Sequence, residues 1–177
     1  MFDKLIDILR EIWSELIPIE IVPPYNGGVQ LRMGKLLRVL DGGKWYWKIP
    51  FADHLVTDHV VPRTERLTGL ATTTIDGKAI GFDAVITYRI HNVQTALLDV
   101  VDLKDAIADS CAGIIGTTLS NCSWSAIVHG ETGDALTAEC RKRGWKWGVE
   151  IQLVQLTGVA PVKNLRVSLS GHAHLPV

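Results

Sequence analysis

The sequence contains none of the local arrangements that catalysis usually requires. Ser, His and Asp are present, but no G-x-S-x-G elbow places a nucleophile. Asp41-Gly42-Gly43-Lys44 fails as a phosphate loop, which needs G-x-x-x-x-G-K-[ST], because Trp45 stands where the hydroxyl belongs. Cys111, Cys122 and Cys140 show no C-x-x-C spacing, so neither a disulfide framework nor a zinc knuckle is expected and the thiols read as free. His172 and His174 could share a strand face, yet no third ligand lies near them, so the expectation is no metal and no cofactor. Charge of one sign is also missing. A net charge of −1 excludes a globally basic nucleic-acid binder and leaves only local patches to attract a charged partner.

Long apolar runs are absent as well. The opening MFDKLIDILREIW is interrupted by Asp3, Asp7 and Glu11 and has no small-residue cleavage site, so it is not a secretory signal. On a helical wheel, however, Phe2, Leu5, Ile6, Ile8, Leu9, Ile12, Trp13, Leu16 and Ile17 fall on one half, with Asp3, Lys4, Asp7, Arg10, Glu11, Ser14 and Glu15 on the other. This separation predicts an amphipathic helix that Pro18 ends. Residues 2–17 would rise about 24 Å, short of a hydrocarbon core of about 30 Å, and the charged half could not face lipid. Such a helix does not span a bilayer; it lies in the interface plane, with Trp13 at the headgroup boundary, or it packs against protein.

At 177 residues, 47% apolar and 21% charged, the chain fits one globular domain with an appendage. The expected division is an amphipathic membrane- or partner-binding helix over residues 1–22, a domain over 23–162, and a C-terminal strand and tail over 163–177. Pro23, Pro24, Asn26, Gly27 and Gly28 read as a stiff and then flexible connector. Ile80, Phe82, Ala84, Ile86, Tyr88 and Ile90 alternate with polar residues, as a half-buried strand requires. The same parity runs through Trp145, Trp147, Val149, Ile151 and Leu153, and through Leu165, Val167 and Leu169. Between Asn92 and Gly144 the pattern turns helical, with Leu103, Ile107, Ile114 and Leu119 on one helix, short helices near 124–129 and 133–143, and Gly144 as the last stop. The fold class predicted is therefore α+β, a mixed or antiparallel twisted sheet with helices packed on it, preceded by the N-terminal amphipathic helix.

One combination of motifs identifies a family. GVQLRMGKLLRVLDGGKWYWKIPFAD over residues 28–53 holds Gly28, Val29, Arg32, Gly34, Lys35, Gly43, Ile49, Pro50, Phe51 and Asp53. TTTIDGKAIGFDAVITYRI adds Thr74, Asp76, Gly77, Tyr88 and Arg89. With Trp147, Gly148, Val149 and Glu150 as a late strand start, these resemble the SPFH or band 7 domain of stomatins, prohibitins and flotillins over roughly residues 25–161. Two departures stand out: Cys111 and Ala112 occupy positions where members often carry a basic residue, and the long coiled coil that usually follows the domain is missing. The resemblance implies a non-catalytic scaffold, tethered to a membrane before the domain and assembled as a ring or cage.

Lys44-Trp45-Tyr46-Trp47-Lys48 and Arg141 to Trp147 are two basic-aromatic runs. Strand parity predicts that their Trp side chains point into the core and their cations outward, which argues against nucleic-acid stacking. Lys44, Lys48, Arg141, Lys142, Arg143 and Lys146 would then face anionic headgroups if the two edges are adjacent. The expectation is thus a peripheral membrane protein on the cytoplasmic face, whose partners are the lipid bilayer surface, further copies of itself and a membrane-protein client, with no nucleic acid. The alternatives are a soluble homo-oligomeric adaptor whose helix buries in a neighbouring subunit or client, and a hydrolase with an unrecognised site.

Overall fold

The computed structural model describes residues 18–162. Among these residues, strands β1 (Ile19–Val22), β2 (Asn26–Arg32), β3 (Lys35–Leu40), β4 (Lys44–Trp47), β5 (Asp53–His59), β6 (Arg63–Thr73) and β7 (Ala79–Ile90) precede four helices. These are α1 (Val93–Leu98), α2 (Leu103–Ser120), α3 (Trp124–Val128) and α4 (Gly133–Trp145), and β8 (Val149–Pro161) follows. The fold is α+β, and every strand pairing among the described residues is antiparallel. Among the described residues, three small sheets form instead of one: β1-β4, β3-β2-β5 and β6-β7-β8.

The main core follows from the alternation of β7. Ile80, Phe82, Ala84, Ile86, Tyr88 and Ile90 are all buried; β7 is the central strand between β6 and β8, and the helices cover its inward face. Helix α2 lays Ile107, Cys111, Ile115 and Leu119 on this face, a spacing of four that keeps one stripe turned inward. Asp102 caps its first turn by accepting from the Asp105 N–H. Ile114, expected inside, is only half-buried at the stripe's margin. From α4, Leu136 and Cys140 join the same core, and the contact with Cys140, together with burial, suppresses ionisation of the Cys111 thiol.

Turns account for several junctions. Gly77, in the left-handed region at φ 75°, closes the β6-β7 hairpin as the Asp76-Gly77 pair predicts. The Asp76 carboxylate also accepts from the Trp124 N–H at 2.7 Å, so the hairpin turn caps α3.

Four expectations are corrected. Ile19–Val22 is a strand, so residues 19–22 belong to the folded domain and not to an N-terminal helix unit. Gly27 and Gly28 are not a flexible connector: they begin β2, and a Cβ on Gly27 would lie 2.7 Å from Val60 Cγ1. The Gly there permits close approach. At the other end, α4 runs through Gly144 to Trp145, and it is Gly148, at φ 71° and facing the Asn92 carbonyl oxygen, that turns the chain into β8. Trp145 is therefore helical, and its ring lies against His91 with centroids 4.0 Å apart. Finally, a register shift between Thr87 and Tyr88 breaks the parity of β8, leaving Leu153 exposed and Val154 buried. The strand expected at Leu165, Val167 and Leu169, and His172 and His174, lie outside the described residues.

Candidate membrane-facing surface

Strands β1 and β4 pair with Ile19 opposite Trp47 and Ile21 opposite Trp45. Directly opposed residues share a face of a two-stranded ribbon, so the two-residue period in each strand gathers all four side chains on one side. That side is turned to solvent, with Ile19 42%, Ile21 74%, Trp45 67% and Trp47 55% exposed. The expectation that Trp45 and Trp47 are core aromatics is therefore corrected. The alternation of β4 holds, but the side that carries Trp45 and Trp47 faces outward.

What turns the ribbon this way is a set of polar pins on its inner side. Gln30, fully buried on β2, donates from Nε2 to the Trp47 carbonyl at 3.0 Å, and Arg38 donates to the same oxygen at 3.1 Å. Arg38 also donates from Nε to Gln30 Oε1 at 2.6 Å and stacks its guanidinium over the Tyr46 ring. Tyr46 closes the turn below, its hydroxyl accepting from the Asp41 N–H and donating to the Asp41 carbonyl. Val22, buried, is the apolar anchor on β1. With carbonyl, phenol and guanidinium groups satisfied underneath, the Trp and Ile side chains are the ones left outside.

Asp53 organises the adjoining corner. Its carboxylate receives Arg32 Nε at 2.7 Å and a second guanidinium nitrogen at 3.0 Å, together with Gln30 Nε2 and the Ile49 N–H, each at 2.8 Å. The bidentate Arg32 contact and the Ile49 N–H hold this carboxyl well below the usual carboxylate range, and the same pairing raises the Arg32 guanidinium. The bond to Ile49 closes the loop Pro50-Phe51-Ala52, in which Phe51 takes φ 65° and stands 90% exposed. Across from it, the Met33 N–H donates to the Ala52 carbonyl at 2.9 Å. Met33, at φ 51°, is likewise exposed, so two apolar tips are held side by side. A non-glycine residue at positive φ is uncommon, and two of them at adjoining tips mark a constrained corner.

The cations expected to meet headgroups are otherwise engaged. Lys44 Nζ pairs with Asp41 at 2.8 Å, which raises its pKa, and Lys48 Nζ pairs with Glu20 at 2.8 Å. Arg141 donates to the carbonyls of Ile151 and Gln152, tying α4 to β8. Lys142 pairs with Glu139, and Arg143 stacks over Trp147. Lys146 remains exposed just past α4. Lys44 and Lys48 thus belong to the ribbon, whereas the other four sit with α4 against β8 and α2, so the two runs do not form one basic edge.

Sequence reasoning missed Ile19, Ile21, Met33 and Phe51 as surface residues and Gln30 and Arg38 as pins. The available signal was two short alternating apolar pairs, Ile-x-Ile at residues 19–21 and Trp-x-Trp at residues 45–47, separated by the β2-β3 hairpin. The apolar residues Phe2, Leu5, Ile6, Ile8, Leu9, Ile12, Trp13, Leu16 and Ile17 lie outside the described residues, which begin at Pro18, one residue before β1. Among the described residues, no helix is long and apolar enough to cross a membrane.

Comparison with known proteins agrees with this architecture. The model of the SPFH domain / Band 7 family matches residues 20–171. An uncharacterized protein of Methanocaldococcus jannaschii is 24% identical over 154 residues, which cover 86% of this chain and 77% of the relative.

Proposed function

Because the chain belongs to the SPFH domain / Band 7 family, we propose that it is a peripheral membrane scaffold of the stomatin and prohibitin type, which lies on a bilayer and associates laterally with copies of itself. Proteins of this family are often membrane-associated and generally non-catalytic. The observation that carries the membrane part is the ribbon face of Ile19, Ile21, Trp45 and Trp47. In the sequence, residues 2–17, with their apolar side chains on one half of a helical wheel, directly precede Pro18 and β1. The Trp residues of the ribbon suit the headgroup boundary. Phe51 and Met33 extend the same apolar character at the Asp53 corner. The cytoplasmic face remains the expected side.

Flotation with lipid vesicles tests this reading on the full chain and on a version lacking residues 1–17. A cut after residue 22 would remove β1 and confuse anchoring with folding. The full chain should float and the shortened chain should float less. If neither floats, the membrane reading is lost, and the ribbon face is then a contact for another protein, as a soluble homo-oligomeric adaptor would use it. Mass photometry in detergent-free buffer checks lateral association: a monomer at micromolar concentration would remove the scaffold.

A further inference from the structure

Where β5, β6, β7 and α1 meet, a half-open cleft of about 330 Å³ enters the fold. Arg63 and Tyr88 face each other across β6 and β7, so both side chains project from one face of the sheet into it. The guanidinium carbon of Arg63 lies 5.7 Å from the centre of the Tyr88 ring. One terminal nitrogen of Arg63 donates to the Asp58 carboxylate at 2.6 Å and to the His59 carbonyl at 2.9 Å. Its Nε is buried, and among the described residues it has no acceptor. Tyr88 is only 2% exposed, and its hydroxyl likewise has no hydrogen-bond partner among the described residues. Buried polar groups of a folded protein are almost always partnered, so two unmatched donors on one wall mark a place where an acceptor belongs. Val56, Leu97, Val100 and Leu103 make the rest of the lining largely apolar.

The charges that line the cleft, with their partners, decide which kind of acceptor fits. Asp58 is paired with Arg63, Lys104 pairs with Glu65 at 3.2 Å, and Asp102 caps α2 through the Asp105 N–H. Two cations thus stand among three carboxylates, and an incoming anion would meet repulsion. An ammonium group brings only donors and leaves Arg63 Nε unmatched. Burial pushes the Tyr88 hydroxyl above its ordinary value, which keeps it protonated and able to donate. We infer that the cleft binds a small uncharged molecule whose carbonyl oxygen accepts from Arg63 Nε and the Tyr88 hydroxyl while its apolar body lies against Val56, Leu97, Val100 and Leu103. An amide, ester or ketone of up to about a dozen non-hydrogen atoms is the chemical class that a cleft of this size takes. None of Ile19, Ile21, Trp45 and Trp47 lines it, so the site is independent of the membrane reading.

The test is titration of the full chain with cyclohexanecarboxamide, cyclohexanecarboxylate and cyclohexylmethylammonium, probes of one shape and different charge. Binding is followed through the Arg63 Nε–H and nearby backbone N–H resonances of nitrogen-labelled protein. The amide should move the Arg63 Nε–H signal and bind with a dissociation constant on the order of 1 mM, as about nine non-hydrogen atoms allow. The carboxylate and the ammonium should each bind at least about tenfold more weakly. Tyr88→Phe keeps the ring and removes the hydroxyl, and should weaken the amide about fivefold. Val100→Trp, on the segment between α1 and α2, should abolish binding by filling the cleft. Carboxylate binding as tight as that of the amide would overturn the choice of an uncharged ligand. No movement of the Arg63 Nε–H signal with any probe would overturn the site itself. Amide binding unchanged in both variants would place the probe elsewhere and overturn it too.

Discussion

Replacing Gln30 with Leu isolates the pins that decide which side of the ribbon faces water. Gln30 is fully buried, and its amide makes three hydrogen bonds, to the Trp47 carbonyl, the Asp53 carboxylate and Arg38 Nε. A neutral bond contributes about 1 kcal/mol net and a bond to a charged partner about 1.5–3 kcal/mol, so the gross loss is roughly 4–7 kcal/mol. Much of this is recovered. Arg38 keeps its second bond to Trp47, Asp53 keeps Arg32 and the Ile49 N–H, and Leu refills nearly the same volume. The net destabilisation expected is about 2–3 kcal/mol. With a urea dependence of about 2 kcal/mol per molar for a domain of this size, the midpoint of urea unfolding should fall by about 1–1.5 M with an unchanged slope. A midpoint shift below about 0.25 M would refute the reasoning, because the ribbon would then be held by Val22 and the β1-β4 ladder with no net help from the pins.

Other outcomes follow from the same geometry. Trp45→Ala and Trp47→Ala should each change stability by less than about 1 kcal/mol in the same urea experiment, since only a cross-strand pair on an exposed face is lost. Gly148→Ala should destabilise by about 2 kcal/mol or more, because it adds a left-handed strain and drives a Cβ to 2.4 Å from the Asn92 oxygen, whereas Gly69→Ala, with open space around it, should lose only about 1 kcal/mol. Asp53 is depressed in the folded state, so the stability it contributes is present above the unfolded carboxyl value near 3.8 and is lost as pH falls below it. Acid titration of unfolding should therefore be flatter below that pH in Asp53→Asn than in the parent, and parallel curves would contradict the clamp. In native protein a thiol reagent should label Cys122, which is partly exposed, well before Cys111 and Cys140, which are buried; equal rates would show that the α2-α4 core opens.

Sequence made plain those elements whose pattern is local. The alternation of β7, the Asp76-Gly77 turn and the helical segments between Val93 and Trp145 each declare themselves within a few residues. The order of small motifs from Gly28 to Glu150 carried the family across the gaps. What stayed hidden depends on contacts between distant residues. Trp45 and Trp47 alternate as a half-buried strand should, but which half is buried was decided by Gln30 and Arg38, which reach them from another sheet. Ile19–Val22 is too short to read as a strand without its partner β4. Gly148 displaced Gly144 as the turning point because the chain must pass beside Asn92, a residue more than fifty positions earlier. The exposure of Phe51 rests on the Asp53 carboxylate gathering donors from β2 and from its own loop.

The three-stranded sheet carries a crease. The register of β6 against β7 slips between Leu67 and Leu70, and that of β8 slips where Gly81 and Asp83 face Ala160 and Thr157, so bulges interrupt both outer strands at the level of Asp83. The Asp83 carboxylate fastens one of them by accepting from the Gly69 N–H at 2.8 Å. Bulged and twisted borders, one of them finishing in Pro161, make poor templates for a further strand. Copies of the chain are accordingly discouraged from continuing this sheet one into the next, and lateral association of the kind proposed would fall to side-chain surfaces, which can be tuned by substitution without the hazard of fibril-like stacking.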